Sequence, residues 1–79
     1  MLIKPGSQWR ITGFRSDLSE LFRRKLLSLG FVPGAVIDIV RFAPLGDPAE
    51  VRLSHSSYAL RKAELAMLRL EAVDGGERA

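Results

Sequence analysis

The stretch "RFAPLGDPAEVRL", Arg41 to Leu53, sets two prolines and a glycine within five residues, Pro44 to Pro48, between two runs of β character. On its C-terminal side Val51 and Leu53 alternate with Glu50 and Arg52, the two-residue period of a strand with one buried face. On its N-terminal side lies a β-rich run from Ala35 to Ala43, entered through Pro33-Gly34, a pair suited to a type II turn. "PLGDP" lacks the glycine spacing, the lysine and the following helix of a phosphate loop, and Asp47 alone is too few carboxylates for a calcium loop. What remains is a stiff corner: Pro44 and Pro48 fix their backbones, Gly46 admits a positive φ, and Leu45 is pushed to the tip. A leucine on a rigid tip costs little entropy to immobilise on a partner. Leu45, Gly46 and Asp47 therefore read either as a contact loop or as a plain corner.

Working outward, "SQWRITGF", Ser7 to Phe14, alternates Trp9 and Ile11 with Arg10 and Thr12, a first strand with Gly13 near its end. The period then changes. Asp17, with Glu20 three residues on, reads as an N-cap and its box partner, and Gly30 as the left-handed stop, which predicts a helix over Leu18 to Leu29. At about 100° per residue, Leu18, Leu21, Phe22, Leu26 and Leu29 share an arc of roughly 140°, the expected core stripe. Lys25 falls inside that arc and is expected to snorkel past the barrel edge. Leu27 falls on the far side with Glu20, Arg23 and Arg24, where it is either an ordinary exposed leucine or a contact.

Beyond the corner, "AEVRLS" is a strand, "HSS" a turn, "YALRK" a short strand, "AEL" one helical turn and "MLRLEAV" a last strand with Leu68, Leu70 and Ala72 on one face. Five or so short strands interrupted by one helix predict a mainly β fold, a small antiparallel barrel with the helix inserted after the first strand and covering one end. One domain over 1–73 is expected, with 74–79, "DGGERA", a flexible tail.

Seventy-nine residues hide only roughly 60% of their unfolded surface, which leaves little room for an enclosed active site. With no cysteine, disulfide and thiolate–metal chemistry are absent. Neither a secretory signal nor an apolar run of spanning length occurs, so the chain is expected in the cytoplasm without direct membrane insertion. The net charge of +3 suits an acidic partner, but the twelve basic residues are scattered, and even Arg23, Arg24 and Lys25 point in three directions on a helix. The aromatics Trp9, Phe14, Phe31, Phe42 and Tyr58 are dispersed and assignable to core, which disfavours nucleic-acid binding.

Catalytic and metal chemistry find no convergent set. His55 is the only histidine and lies beside serines rather than carboxylates, the reading of a surface turn rather than a ligand. Ser54, His55 and Ser56 are neighbours whose side chains alternate faces on an extended chain, so they do not form a nucleophile with its base. The expectation is no enzyme, no catalytic residue, no cofactor and no resident metal.

Three motifs then occur in order after "WRITGF": "KLLSLGFVPG" (Lys25 to Gly34), "VRFAPLGDP" (Val40 to Pro48) and "YALRKAEL" (Tyr58 to Leu65). Each is weak alone, but the ordered set resembles the FeoA family of bacterial ferrous iron transport proteins across nearly the whole chain. The resemblance implies an SH3-like β-barrel, in agreement with the strand count. It also implies a cytoplasmic accessory role in ferrous iron uptake with FeoB, a membrane transporter bearing a GTP-binding domain, which would recruit the chain to the inner membrane. With no iron site of its own in view, the chain is expected to regulate or assemble FeoB. The expected contact residues are Arg23, Arg24, Leu27, Leu45, Gly46, Asp47 and Arg61. An alternative is that Arg24 or Arg61 stimulates GTP hydrolysis, as an inserted arginine does in other GTPases. The oligomeric state is left open.

Overall fold

The computed structural model describes residues 3–73. Their order is β1 (Gln8–Phe14), α1 (Glu20–Leu29), β2 (Val36–Phe42), β3 (Ala49–Leu53), β4 (Ser56–Leu60), α2 (Lys62–Leu65) and β5 (Leu68–Ala72). Every strand falls within a residue or two of its expected place, and the expected tail, 74–79, lies outside the described residues. All pairings are antiparallel, in the order β4-β3-β2-β1-β5. The fold is the expected mainly β one, with the helix after the first strand.

The strand alternation builds the core directly. Trp9 and Ile11 of β1, Ile37 and Ile39 of β2, and Ala49, Val51 and Leu53 of β3 are buried, and Leu26, Phe31, Leu60, Leu65 and Leu68 complete the cluster. Register shifts between Ile11 and Gly13 and between Ile39 and Arg41 bend the sheet, so that a face five strands wide wraps one core. The buried polar group Ser7 is satisfied: its hydroxyl accepts from the Trp9 indole Nε1 at 2.9 Å and donates to the Lys4 carbonyl.

Helix α1 starts later than the sequence suggested. Ser19, not Asp17, is the N-cap: its backbone is extended (φ −64°, ψ 147°) and its Oγ accepts from the Phe22 N–H at 3.2 Å. Asp17 instead pairs with Arg15 at 3.4 Å, in a turn closed by the Leu18 N–H on the Arg15 carbonyl. Glu20 sits in the first turn, where its carboxylate holds Arg23 at 3.1 Å and Arg24 at 3.5 Å rather than closing a box. The stop is the expected one. Gly30 has φ 106°, its N–H bonds to the Leu27 carbonyl, and the Phe31 N–H reaches back to the Leu26 carbonyl, a complete Schellman motif.

The roll of α1 is the second correction. Leu26 is the helix's one fully buried residue, flanked by half-buried Phe22 and Leu29 on one side and Arg23 and Leu27 on the other. The buried stripe is thus turned by roughly 70° from the expected arc, counting 100° per residue. Leu21, expected in the core, is 80% exposed, while Leu27, expected outside, is half-buried. The cause lies at the C-terminus: Gly30 and the buried Phe31 tie down the last turn beside Leu53, and that anchoring sets which flank faces the sheet. Lys25 is exposed, its Nζ 6.0 Å from the centre of the Phe22 ring.

Candidate docking surface

The corner that opened the sequence is pinned rather than loose. The Gly46 N–H bonds to the Ala43 carbonyl at 2.6 Å and the Ala43 N–H to the Pro48 carbonyl at 2.9 Å, with Gly46 at φ 90°. Asp47 reaches across to α2, its Oδ1 accepting from the Lys62 N–H at 2.8 Å. The Lys62 ammonium lies 5.6 Å from the centre of the Phe42 ring and is a close neighbour of Gly46. These contacts fix both shoulders of the loop, and Leu45 stands at its tip 96% exposed. The glycine is needed for its φ; a Cβ there would also come within 3.2 Å of Lys62 Nζ, the free end of an exposed side chain that can move aside.

Short helix α2 joins this loop to α1. Its entry is held by the Arg61 N–H on Glu64 Oε1 at 2.9 Å and by Asp47 from the loop. On its other flank Ala63, Glu64 and Met67 share a shallow groove with Leu18, Ser19 and Phe22. A second groove runs along the outer side of α1, lined by Leu21, Phe22, Arg24, Lys25 and the serines Ser19 and Ser28. Leu45, the Arg61–Lys62 entry of α2 and the first turns of α1 thus follow one another around the molecule.

Of the seven expected contact residues, Leu45, Gly46, Asp47 and Arg61 gather at the loop and the adjoining entry of α2. Asp47 and Gly46 are partly explained by the structure itself, one as the partner of Lys62 and the other as the loop's turn residue. Arg23 and Arg24 lie on α1 with Glu20 between them, so their charge is partly met within the helix. Arg61 is exposed and forms no ion pair with a described residue. Leu27 gives way to Leu21 as the exposed leucine of α1. Hydrophobic spacing ranks these two leucines in the opposite order; the signal that could have corrected it is the distance of each from the Gly30 stop.

His55 is exposed in the two-residue turn between β3 and β4. No group of three or more His, Asp or Glu side chains placed to hold a metal occurs among the described residues. No described helix is long and apolar enough to cross a membrane.

Comparison with known proteins bears on this geometry. The chain is 36% identical over 53 residues to a fusion of Fe(2+) transport protein A with the Fe(2+) transporter FeoB from Porphyromonas gingivalis, a match that covers 67% of this chain and 6% of the fusion protein. The solution structure of iron(II) transport protein A from Clostridium thermocellum superposes with a TM-score of 0.82 at 38% identity, covering 92% of this chain and 44% of that one. The chain therefore spans less than half the length of either relative. The fold also matches that of FeoA from Stenotrophomonas maltophilia, described as an SH3 domain protein and solved with zinc, with a TM-score of 0.75 at 22% identity over 87% of this chain and 84% of that one. Together with the match of the FeoA domain model to residues 2–72, the five-stranded barrel and its inserted helix leave one conclusion: the chain belongs to the FeoA domain family of ferrous iron transport.

Proposed function

We infer that this chain is an accessory protein of ferrous iron uptake that docks on the cytoplasmic, GTPase-bearing part of FeoB and regulates or assembles the transporter. The observation that carries the reading is Leu45, almost wholly exposed on a loop pinned through Asp47 and Lys62. A large apolar side chain held rigid before binding loses little freedom on contact, so its burial is spent on affinity. The fused Porphyromonas relative supports the choice of partner, since the two modules share one chain there. Leu21 and the basic first turns of α1 extend the same surface.

The test is calorimetric titration of the protein against full-length detergent-solubilised FeoB, with and without a non-hydrolysable GTP analogue. Leu45→Asp and Leu21→Asp should each keep the fold and weaken binding, Leu45→Asp by about tenfold or more for a buried apolar anchor. Wild-type binding by both variants would overturn the surface, and no binding in any nucleotide state would overturn the partner.

A second reading is favoured by one observation. Arg24 is tied to Glu20, whereas the Arg61 guanidinium, beside the pinned loop, forms no ion pair with a described residue. Of these two, Arg61 is therefore the one available to a nucleotide, and stimulation of GTP hydrolysis by up to about 10³- to 10⁵-fold is the scale such a residue reaches. Unchanged GTP turnover by FeoB with saturating protein removes this reading and leaves docking intact.

A further inference from the structure

The sheet has two ends, and among the described residues only one is guarded. Strand β5 carries Arg69 and Glu71, pairs across the irregularity at Gly13, and is tied sideways by the Thr12 hydroxyl on the Arg69 carbonyl and by Arg69 Nε on the Phe14 carbonyl. Charges and bulges of this kind are how sheets avoid stray strand pairing. Strand β4, "SSYAL", has no charge, no proline and no bulge against β3.

The register says which of its backbone groups are free. Leu53 and Ser56 close a two-residue hairpin, so they exchange both hydrogen bonds, and the pattern then alternates along the ladder. Val51 with Tyr58 and Ala49 with Leu60 are the further bonded pairs; Ser57 and Ala59 turn their N–H and C=O groups away from β3. Among the described residues none outside β3 hydrogen-bonds to those groups. Ser57 and Ala59 are both exposed, and their small side chains floor a shallow groove with Ala43 and Pro48, walled by Arg41 and Tyr58.

We propose that β4 is a strand-addition site that takes an extended acidic peptide segment. Two donors and two acceptors at alternate residues are what one added strand requires, and the low floor leaves room for its side chains. Charge selects the occupant. Arg61 continues the alternate row of Ser57 and Ala59, and Arg52 stands across β3 from Ser57; neither forms an ion pair with a described residue. Of the carboxylates near them, Glu50 is held by Arg41 at 3.3 Å, Glu64 and Asp47 accept the Arg61 and Lys62 N–H groups at 2.9 and 2.8 Å, and Asp38 sits behind Arg52 on β2, farther from the edge. Carboxylates on an added strand meet these two arginines. The site does not depend on the transporter reading.

The experiment uses the full chain, labelled with ¹⁵N, and blocked octapeptides alternating valine with glutamate or with lysine. The glutamate peptide should shift the Ser57 and Ala59 amides and slow their hydrogen exchange by about tenfold or more, as added strand hydrogen bonds do. The lysine peptide should bind at least about tenfold more weakly at low salt, and Arg52→Glu should narrow that gap. Ala59→Pro removes an outward N–H and spares the β3 ladder, so it should leave the rest of the spectrum in place and abolish the protection. N-methylation of alternate peptide amides makes the same test from the ligand side should that variant not fold. Shifts centred elsewhere, equal binding of the two peptides, or protection that grows with protein concentration alone would each overturn the proposal, the last in favour of a second copy.

Discussion

The first and last turns of α1 share a leucine-rich sequence and meet opposite surroundings: Leu26 is 1% exposed, Leu21 80%. Both are leucines in one ten-residue helix, separated by five positions. The last turn is tied down by the Gly30 motif and by Phe31, which is wholly buried and meets the Tyr58 ring edge-on at 5.3 Å. The first turn is held mainly by a serine cap and surface ion pairs. One end of the helix is thus anchored for stability, and the other is presented.

The sharpest way to break this comparison is to truncate both leucines. Leu26→Ala should cost about 2–5 kcal/mol, the range for a leucine removed from a packed interior. Leu21→Ala should stay within about 0.5 kcal/mol of the parent, as exposed substitutions do. Urea denaturation followed by circular dichroism measures both, and equal losses would mean that the helix is rolled otherwise than described. Next in size is Gly30→Ala. It forces a Cβ onto φ 106° and within 3.1 Å of Leu53 Cδ2, so a loss of about 1–3 kcal/mol is expected in the same assay.

The capping assignment is sharpened by a smaller pair. Ser19→Ala should destabilise by about 1 kcal/mol, the usual worth of an N-cap hydroxyl. Asp17→Ala should lose under about 0.5 kcal/mol, since its partner Arg15 is an exposed surface ion. A reversed order would restore Asp17 as the cap. Smallest is Glu20→Gln, which removes the carboxylate shared by Arg23 and Arg24. A drop of a few tenths of a kcal/mol is expected, fading with added salt in a thermal melt at two ionic strengths.

These contrasts also mark what the sequence could say. The strands were legible because alternation is a local signal: Ile37 and Ile39, or Val51 and Leu53, declare a buried face wherever the strand is placed. The helix stop was legible for the same reason, since Gly30 satisfies its own preceding turn. The roll of α1 was not, because periodicity favours Leu21 over Leu27 and only the anchoring of the last turn at the barrel end reverses that order. Likewise Asp17 and Ser19 are both good caps by type, and only the turn closed by Arg15 and Leu18 decides between them. Of the candidate site, the exposed tip at Leu45 followed from proline and glycine positions, while its staple did not. Asp47 and Lys62 are fifteen residues apart, and no spacing rule links them. The free groups of β4 needed the register of β3 to be seen at all.

Trp9 is the chain's only tryptophan, and its indole is enclosed in the core with its N–H donated to Ser7. The protein therefore carries one indole fluorophore, excitable apart from Tyr58 and placed on β1 rather than on the docking loop, α1 or the β4 edge. Its emission reports the integrity of the barrel, and a ligand seated only on those surfaces should leave the indole's surroundings unchanged. A partner that does alter the colour of that emission is reshaping the barrel itself.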